Sequence, residues 1–174
     1  SSAASDVYKR QGQTTLRALM NRAGQSSERN NGNGSLMRIA PLAYTQATNE
    51  QIRNVSAITH AHEISMQACV DFVKILRIVV RGEEPDLSEW LGKPREQIRS
   101  TGYVVHTLEA SLWCFANTTS YEECVLAAVN LGADADTTAA VAGALAGARY
   151  GVESIPTRWM ETLRGKDLIE TALF

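Results

Sequence analysis

Three glycines spaced four residues apart, Gly143, Gly147 and Gly151, run through an alanine-rich segment. Positions i, i+4 and i+8 share one face of a helix. The segment therefore reads as a helix with a smooth stripe on which a second helix packs closely, which places it at the centre of a bundle. A large side chain on that stripe, such as Gly147→Leu, is expected to overpack it at a cost of about 1–3 kcal/mol. The stretch from Ala139 to Ala148 does not read as a membrane span, because it is short, small rather than greasy, and followed by Arg149.

Helical spacing continues through most of the chain. Leu16, Met20 and Ala23 mark a first helix with Gly24 as its stop. Asn30-Asn31-Gly32-Asn33-Gly34 is too rich in turn formers to be anything but a loop, and a short helix over residues 36–44 must accommodate Pro41. Thr48 and Gln51 have capping-box spacing, as do Ser120 and Glu123. Ile64, Ala68, Phe72, Ile75 and Val79 trace a long helix to Gly82, and Val105, Leu108, Leu112 and Phe115 trace an amphipathic one. Leu87, Trp90 and Leu91 are expected to tuck a connection onto the core, with Trp90, Trp113 and Trp159 as core anchors. Alternating strand patterns are absent. The chain reads as a single all-α domain, and 174 residues suit that size.

Charge and cysteine content exclude several classes. Lys and Arg number 17 against 19 Asp and Glu, giving a net charge of −2, so no nucleic-acid partner is expected. Cys69, Cys114 and Cys124 are odd in number and widely spaced, which argues against a disulfide framework or a zinc site and for small core residues. With no secretory signal and no membrane segment legible, the expected compartment is cytoplasmic. Residues 1–13 are polar and without periodicity, and read as a non-native or disordered leader ahead of a domain over residues 14–174.

Three clusters could carry chemistry. Gly132-Ala133-Asp134-Ala135-Asp136-Thr137 offers two carboxylates and a hydroxyl from one turn at a helix mouth, hard oxygens that suit Mg²⁺, Mn²⁺ or Ca²⁺. Asp before a helix is also among the commonest N-caps, and on spacing alone capping is the favoured reading. The loop Asn31-Gly32-Asn33-Gly34-Ser35 could present backbone amides to an anion, although such loops are usually only turns. His60 and His62, taken as helical, point to nearly opposite faces, so joint chelation of one metal is not expected. A lone histidine is more often structural, and His106 has the same reading.

Taken in order, these segments resemble a known family. Asn31-Gly32-Asn33-Gly34-Ser35-Leu36-Met37-Arg38, Thr59-His60, Gly102-Tyr103 through Ala110, Asn130 through Thr137, the glycine stripe and Ile155-Pro156 with Trp159 are together similar to the ADP-ribosylglycohydrolase family. The resemblance runs from about Leu16 to the C-terminus. It implies an all-α, orthogonally packed bundle with a two-metal centre of Mg²⁺ or Mn²⁺. It also implies hydrolysis of the glycosidic bond joining ADP-ribose to a protein side chain or small acceptor, so that an ADP-ribosylated protein or an ADP-ribose-containing small molecule is the expected partner. Carried over by position, Asp134, Asp136 and Thr137 are implied metal ligands, with Asp136 bridging the two ions. Asp134 and Asp136 are the implied catalytic pair. Asn31, Gly32, Asn33, Gly34, Ser35 and His60 are implied to line the substrate pocket. The resemblance thus reverses the capping reading of the aspartates.

The family pattern also includes an upstream Glu and a Thr-Asp-Asp-Thr motif, and this chain holds no Asp-Asp pair. The resemblance therefore implies a fragment that encodes only part of the metal centre. The alternative is a non-catalytic relative that binds ADP-ribose or serves a structural role on the same scaffold.

Overall fold

The apolar spacing and the caps set the helix boundaries. A computed structural model describes residues 12–172, in which the α-helices are α1 (Gln13–Asn21), α2 (Asn49–Ala57), α3 (Glu63–Val80), α4 (Val104–Ala116), α5 (Tyr121–Asn130), α6 (Ala135–Tyr150), α7 (Thr157–Thr162) and α8 (Lys166–Ala172). Among the described residues there is no strand, only two isolated β-bridges. The all-α expectation holds. Of the leader expected over residues 1–13, residues 1–11 lie outside the described residues, and Gln13 opens α1. Among the described residues no helix is long and apolar enough to cross a membrane.

Helix α6 sits at the centre, packed on α3, α4 and α5. Val141, Ala142, Leu145 and Ala146 form its buried side and join Phe72, Leu76, Val104, Cys114 and Cys124 in one apolar core. The glycine stripe faces α5: a Cβ on Gly143 would lie 3.5 Å from Val125, and one on Gly147 would lie 3.8 Å from the Tyr121 ring. Gly151 has already left the helix, as its cap at φ +80°. The stripe is therefore two helical glycines followed by a turn.

Local chemistry explains several departures from the sequence expectations. Helix α1 stops at Asn21, with Arg22 at φ 51° as the left-handed cap. Gly24 serves a different purpose, since a Cβ there would overlap the Ala57 carbonyl. The segment around Pro41 forms two 3-10 turns, Leu36–Arg38 and Ala40–Tyr44, instead of one helix. On α4 the fully buried positions are Val104, Thr107, Ala110, Ser111 and Cys114 with Leu112 and Phe115, whereas Val105 and Leu108 are only half-buried. All three tryptophans are half-buried: Trp90 and Trp113 pack against the core with Leu87, as expected, whereas Trp159 stands against Tyr121 and Leu91 is exposed. Trp90 lies beneath the Lys93 ammonium and Trp113 Nε1 donates to the Lys93 carbonyl at 2.8 Å, so this connection is held by polar ends as much as by burial.

Candidate functional site

Two backbone crossings build the site. Gln25 N donates to Thr59 O at 3.0 Å and Ala61 N to Gln25 O at 2.9 Å, tying the start of the loop to the α2–α3 turn. Asn33 N donates to Gly102 O and Val104 N to Asn31 O, each at 3.0 Å, tying the middle of the loop to the entrance of α4. The chain then leaves α5 through two consecutive left-handed residues, Gly132 at φ +74° and Ala133 at φ +52°. Alanine in that conformation costs roughly 1–2 kcal/mol. That turn delivers Asp134 to the mouth of α6, where its N–H donates to Ser100 O at 2.8 Å.

A cavity of about 590 Å³ forms where these segments meet, and Gly32, Asn33, Gly34, His60, Asp134, Asp136 and Thr137 all line it. Asn31 and Ser35 do not. Asn31 is held behind the wall by Ser65 Oγ at 2.9 Å and the Glu28 carbonyl at 2.9 Å. Ser35 is fully buried and accepts from Cys69 Sγ at 3.4 Å. Sequence reasoning missed the other lining groups, among them Thr14, Thr15, Met37, Arg38 and Gly102. Met37, Arg38 and Gly102 sat inside the recognised motifs without an assigned part; Thr14 and Thr15 carry no local signal.

Asp134 occupies the N-cap position of α6, yet its carboxylate takes no backbone amide of the first turn. Its Oδ1 accepts the Thr137 hydroxyl at 3.2 Å, and its Oδ2 accepts Asn33 Nδ2 at 2.6 Å. The same Asn33 amide donates to Thr107 Oγ1 at 2.8 Å. Asp136, on the exposed side, accepts the Thr137 N–H at 2.9 Å. Behind them Thr138 Oγ1 donates to the Asp134 carbonyl at 3.0 Å and accepts from Ser100 Oγ at 2.7 Å. The Asp134 carboxylate is therefore aimed by a largely buried polar network, while Asp136 is held only by its neighbour's N–H. Asp134, Asp136 and Thr137 offer a divalent cation three hard oxygens from one turn. Among the described residues no group of three or more His, Cys, Asp and Glu side chains is placed to hold a metal ion, so these residues fit part of a cation site.

His60 closes the opposite wall. The ring is 2% exposed, and burial, then the nearby Arg38 charge, lowers its pKa to about 4, so it is neutral near pH 7. A Cβ on Gly34 would come within 2.8 Å of His60 Cε1, and one on Gly32 within 3.5 Å of His60 Nε2. The loop glycines therefore make room for the imidazole. His60 and His62 lie in the turn between α2 and α3 instead of on a helix, and His62 Nδ1 caps α3 by accepting Ile64 N at 3.3 Å. Burial raises the thiol pKa of Cys69, Cys114 and Cys124, the last two to about 12 and about 11. They are core side chains, away from the cavity.

A family model described as ADP-ribosylglycohydrolase matches residues 2–173. The chain is 35% identical over 153 residues to ADP-ribosylarginine hydrolase Tri1 of Pseudomonas putida (strain GB-1), an alignment that takes 75% of this chain and 41% of that protein. It is 31% identical over 153 residues to the ADP-ribosyl-dinitrogen reductase glycohydrolase of Rhodospirillum rubrum, covering 79% of this chain and 52% of that one. A solved structure described as an ADP-ribosylglycohydrolase-related protein complex superposes with a TM-score of 0.76 at 32% identity, over 94% of this chain and 68% of that chain. The chain spans about half the length of the curated relatives it matches.

Proposed function

This chain belongs to the ADP-ribosylglycohydrolase family, and on that footing we propose that it carries the ligand pocket and part of the metal centre of a hydrolase. The bond cleaved is the glycosidic link between ADP-ribose and a protein side chain or small acceptor. Arginine is the favoured acceptor, because two relatives at 35% and 32% identity are named ADP-ribosylarginine hydrolases. The observation that carries the reading is one cavity that brings Asp134, Asp136 and Thr137 to face the Gly32–Asn33–Gly34 loop and His60.

Mg²⁺ or Mn²⁺ would be held by Asp134, Asp136 and Thr137, and its chemistry there is that of a Lewis acid that orients ribose hydroxyls and lowers the pKa of a bound water. The chain's own residues do the rest. Asn33 and Thr137 each hold one oxygen of the Asp134 carboxylate, so the group is oriented before any ligand arrives. Asp136 remains exposed at the cavity rim, and neutral His60 adds no charge to the wall. The side-chain-free loop at Gly32 and Gly34 lets a phosphate or sugar approach the backbone.

The test is thermal unfolding of the chain with ADP-ribose and Mg²⁺ or Mn²⁺. The melting temperature is expected to rise, and Asp136→Ala to abolish the rise. A folded sample that shows no shift at millimolar ligand overturns the reading. Turnover is assayed on the full-length protein with ADP-ribosylated arginine and serine peptides. A binding-only role is the second reading, favoured because the described residues supply only part of a metal shell. It predicts the same thermal shift with no turnover of either peptide.

A further inference from the structure

One chain of contacts in the cavity wall has no part in the chemistry above. Arg38 Nη2 donates to Thr59 Oγ1 at 2.7 Å, and Arg38 Nη1 donates to the Gly34 carbonyl. Thr59 Oγ1 in turn lies 2.7 Å from His60 Nδ1. Thr59 is 4% exposed and His60 2% exposed, so water does not compete for the contact between them, while Arg38 reaches in from the exposed side. Direction follows from what each group can do. A guanidinium donates and never accepts, so Thr59 Oγ1 is an acceptor toward Arg38. The guanidinium charge on one of the two lone pairs of Thr59 Oγ1 polarises the hydroxyl as a donor, and the acceptor its proton meets is His60 Nδ1. An imidazole nitrogen that accepts is unprotonated, and a neutral ring must carry its proton on the other nitrogen. That nitrogen, Nε2, faces the cavity beside Gly32, and among the described residues no hydrogen-bond partner meets it.

We propose that Arg38 and Thr59 are positioning residues that hold His60 as its Nε2–H tautomer, so that the imidazole presents a fixed, uncharged donor to a phosphate or sugar oxygen of the bound ligand. The identity of that ligand rests on the function proposed above; the tautomer does not. A donor held in place before binding loses no orientational freedom when the ligand arrives. The opposite tautomer would present a lone pair, which repels a phosphate oxygen and lets a sugar hydroxyl only donate. The glycines at 32 and 34 fit this arrangement, since a side chain at 34 would displace the ring.

The experiment is long-range ¹H–¹⁵N correlation of the histidine rings in the 174-residue chain near pH 7, without ligand. His60 is expected to show an unprotonated Nδ1 and a protonated Nε2. Thr59→Val, which keeps the shape and deletes the hydroxyl, is expected to shift the population toward Nδ1–H, and Thr59→Ser to restore the wild-type pattern. Arg38→Met removes the charge that polarises the Thr59 hydroxyl toward Nδ1 and is expected to shift it the same way. A protonated Nδ1 in the wild type, or a Thr59→Val spectrum identical to it, overturns the proposal. If Thr59→Val does not fold, the wild-type, Thr59→Ser and Arg38→Met spectra decide. ADP-ribose affinity, measured with Mg²⁺ present, is expected to fall about tenfold in Thr59→Val and to return in Thr59→Ser. Wild-type chain with the expected tautomer but no ADP-ribose binding would instead count against the ligand.

Discussion

Asn33 and Asp134 are 101 positions apart in the chain, and Asn33 Nδ2 donates to Asp134 Oδ2 at 2.6 Å. The amide also donates to Thr107 Oγ1, so one side chain joins the glycine loop, α4 and the mouth of α6. Loop and aspartate are each weak signals alone, and this contact makes them one site. Asn33→Ala is expected to lower stability by about 1–3 kcal/mol, because it leaves the buried Thr107 hydroxyl and one Asp134 oxygen without their donor. Asn33→Asp is expected to cost more, since it sets a carboxylate against a carboxylate. Urea unfolding of both variants checks this. A change in Asn33→Ala no larger than about 0.5 kcal/mol, the range of ordinary surface substitutions, would show that the contact does not hold the site.

Two glycine substitutions should behave in opposite ways. At Gly34 a Cβ would lie 2.8 Å from His60 Cε1 and 3.1 Å from Thr15 Oγ1, and the ring is buried with little room to retreat. Gly34→Ala is expected to destabilise by about 1–3 kcal/mol and to weaken ligand binding. At Gly147 a Cβ would meet only the Tyr121 ring, at 3.8 Å, an ordinary contact. Gly147→Ala is expected to raise stability by about 0.5–1 kcal/mol through the lower entropy of the unfolded chain. Differential scanning calorimetry of the pair reads both signs, and a Gly147→Ala that melts lower than wild type would mean α5 packs closer than this geometry allows.

What the sequence made legible depended on range. Helix periodicity and caps are written within a few residues, so α3 and the Thr48–Gln51 box could be read directly. The part of Gly24 could not, because it is set by the Ala57 carbonyl of a helix about thirty positions on. The same holds for the site. Asp134, Asp136 and Thr137 stood out as adjacent oxygens, but on spacing alone capping was favoured. Only the contact with Asn33 shows the Asp134 carboxylate turned away from the helix amides. Arg38 and Thr59 lay inside the recognised motifs with no part assigned, since their part exists only where the loop crosses the α2–α3 turn. Trp90 and Trp113 pack on the core as their size suggests, but Trp159 does not, because size does not set depth.

The two expected capping boxes differ in how their acidic or amide arm returns. Thr48 Oγ1 accepts Gln51 N at 3.2 Å while Gln51 Oε1 accepts Thr48 N at 2.8 Å, which closes the box. Ser120 Oγ accepts Glu123 N at 3.2 Å, but Glu123 Oε2 reaches one residue further back, to the Thr119 N–H and hydroxyl, each at 3.0 Å. Thr48→Ala is expected to cost about 1 kcal/mol. Because both arms belong to one cap, Thr48→Ala with Gln51→Ala should cost less than the sum of the two. A strictly additive double-mutant cycle would mean that the arms act independently.

His60 sets a pH dependence whose sign can be worked out. Its ordinary pKa is 6.5, and in the folded chain burial, helped by the Arg38 charge, holds it at about 4. Between those values the unfolded chain binds a proton that the folded chain refuses, so stability falls as pH falls through this window. Above 6.5 neither state is protonated and the group contributes no slope; below about 4 both are, and the loss levels off. The full loss is on the order of 3 kcal/mol, from about 1.4 kcal/mol per pH unit. Carboxylates titrate in the same range, so the quantity to measure is a difference between variants. Urea unfolding at pH 7 and pH 4.5 is expected to show wild type losing about 2–3 kcal/mol more than His60→Gln. Arg38→Met removes the secondary cause, lifts the folded pKa toward 6.5, and should give an intermediate loss. Parallel losses in wild type and His60→Gln would mean that His60 accepts its proton in the folded chain as readily as in the unfolded one.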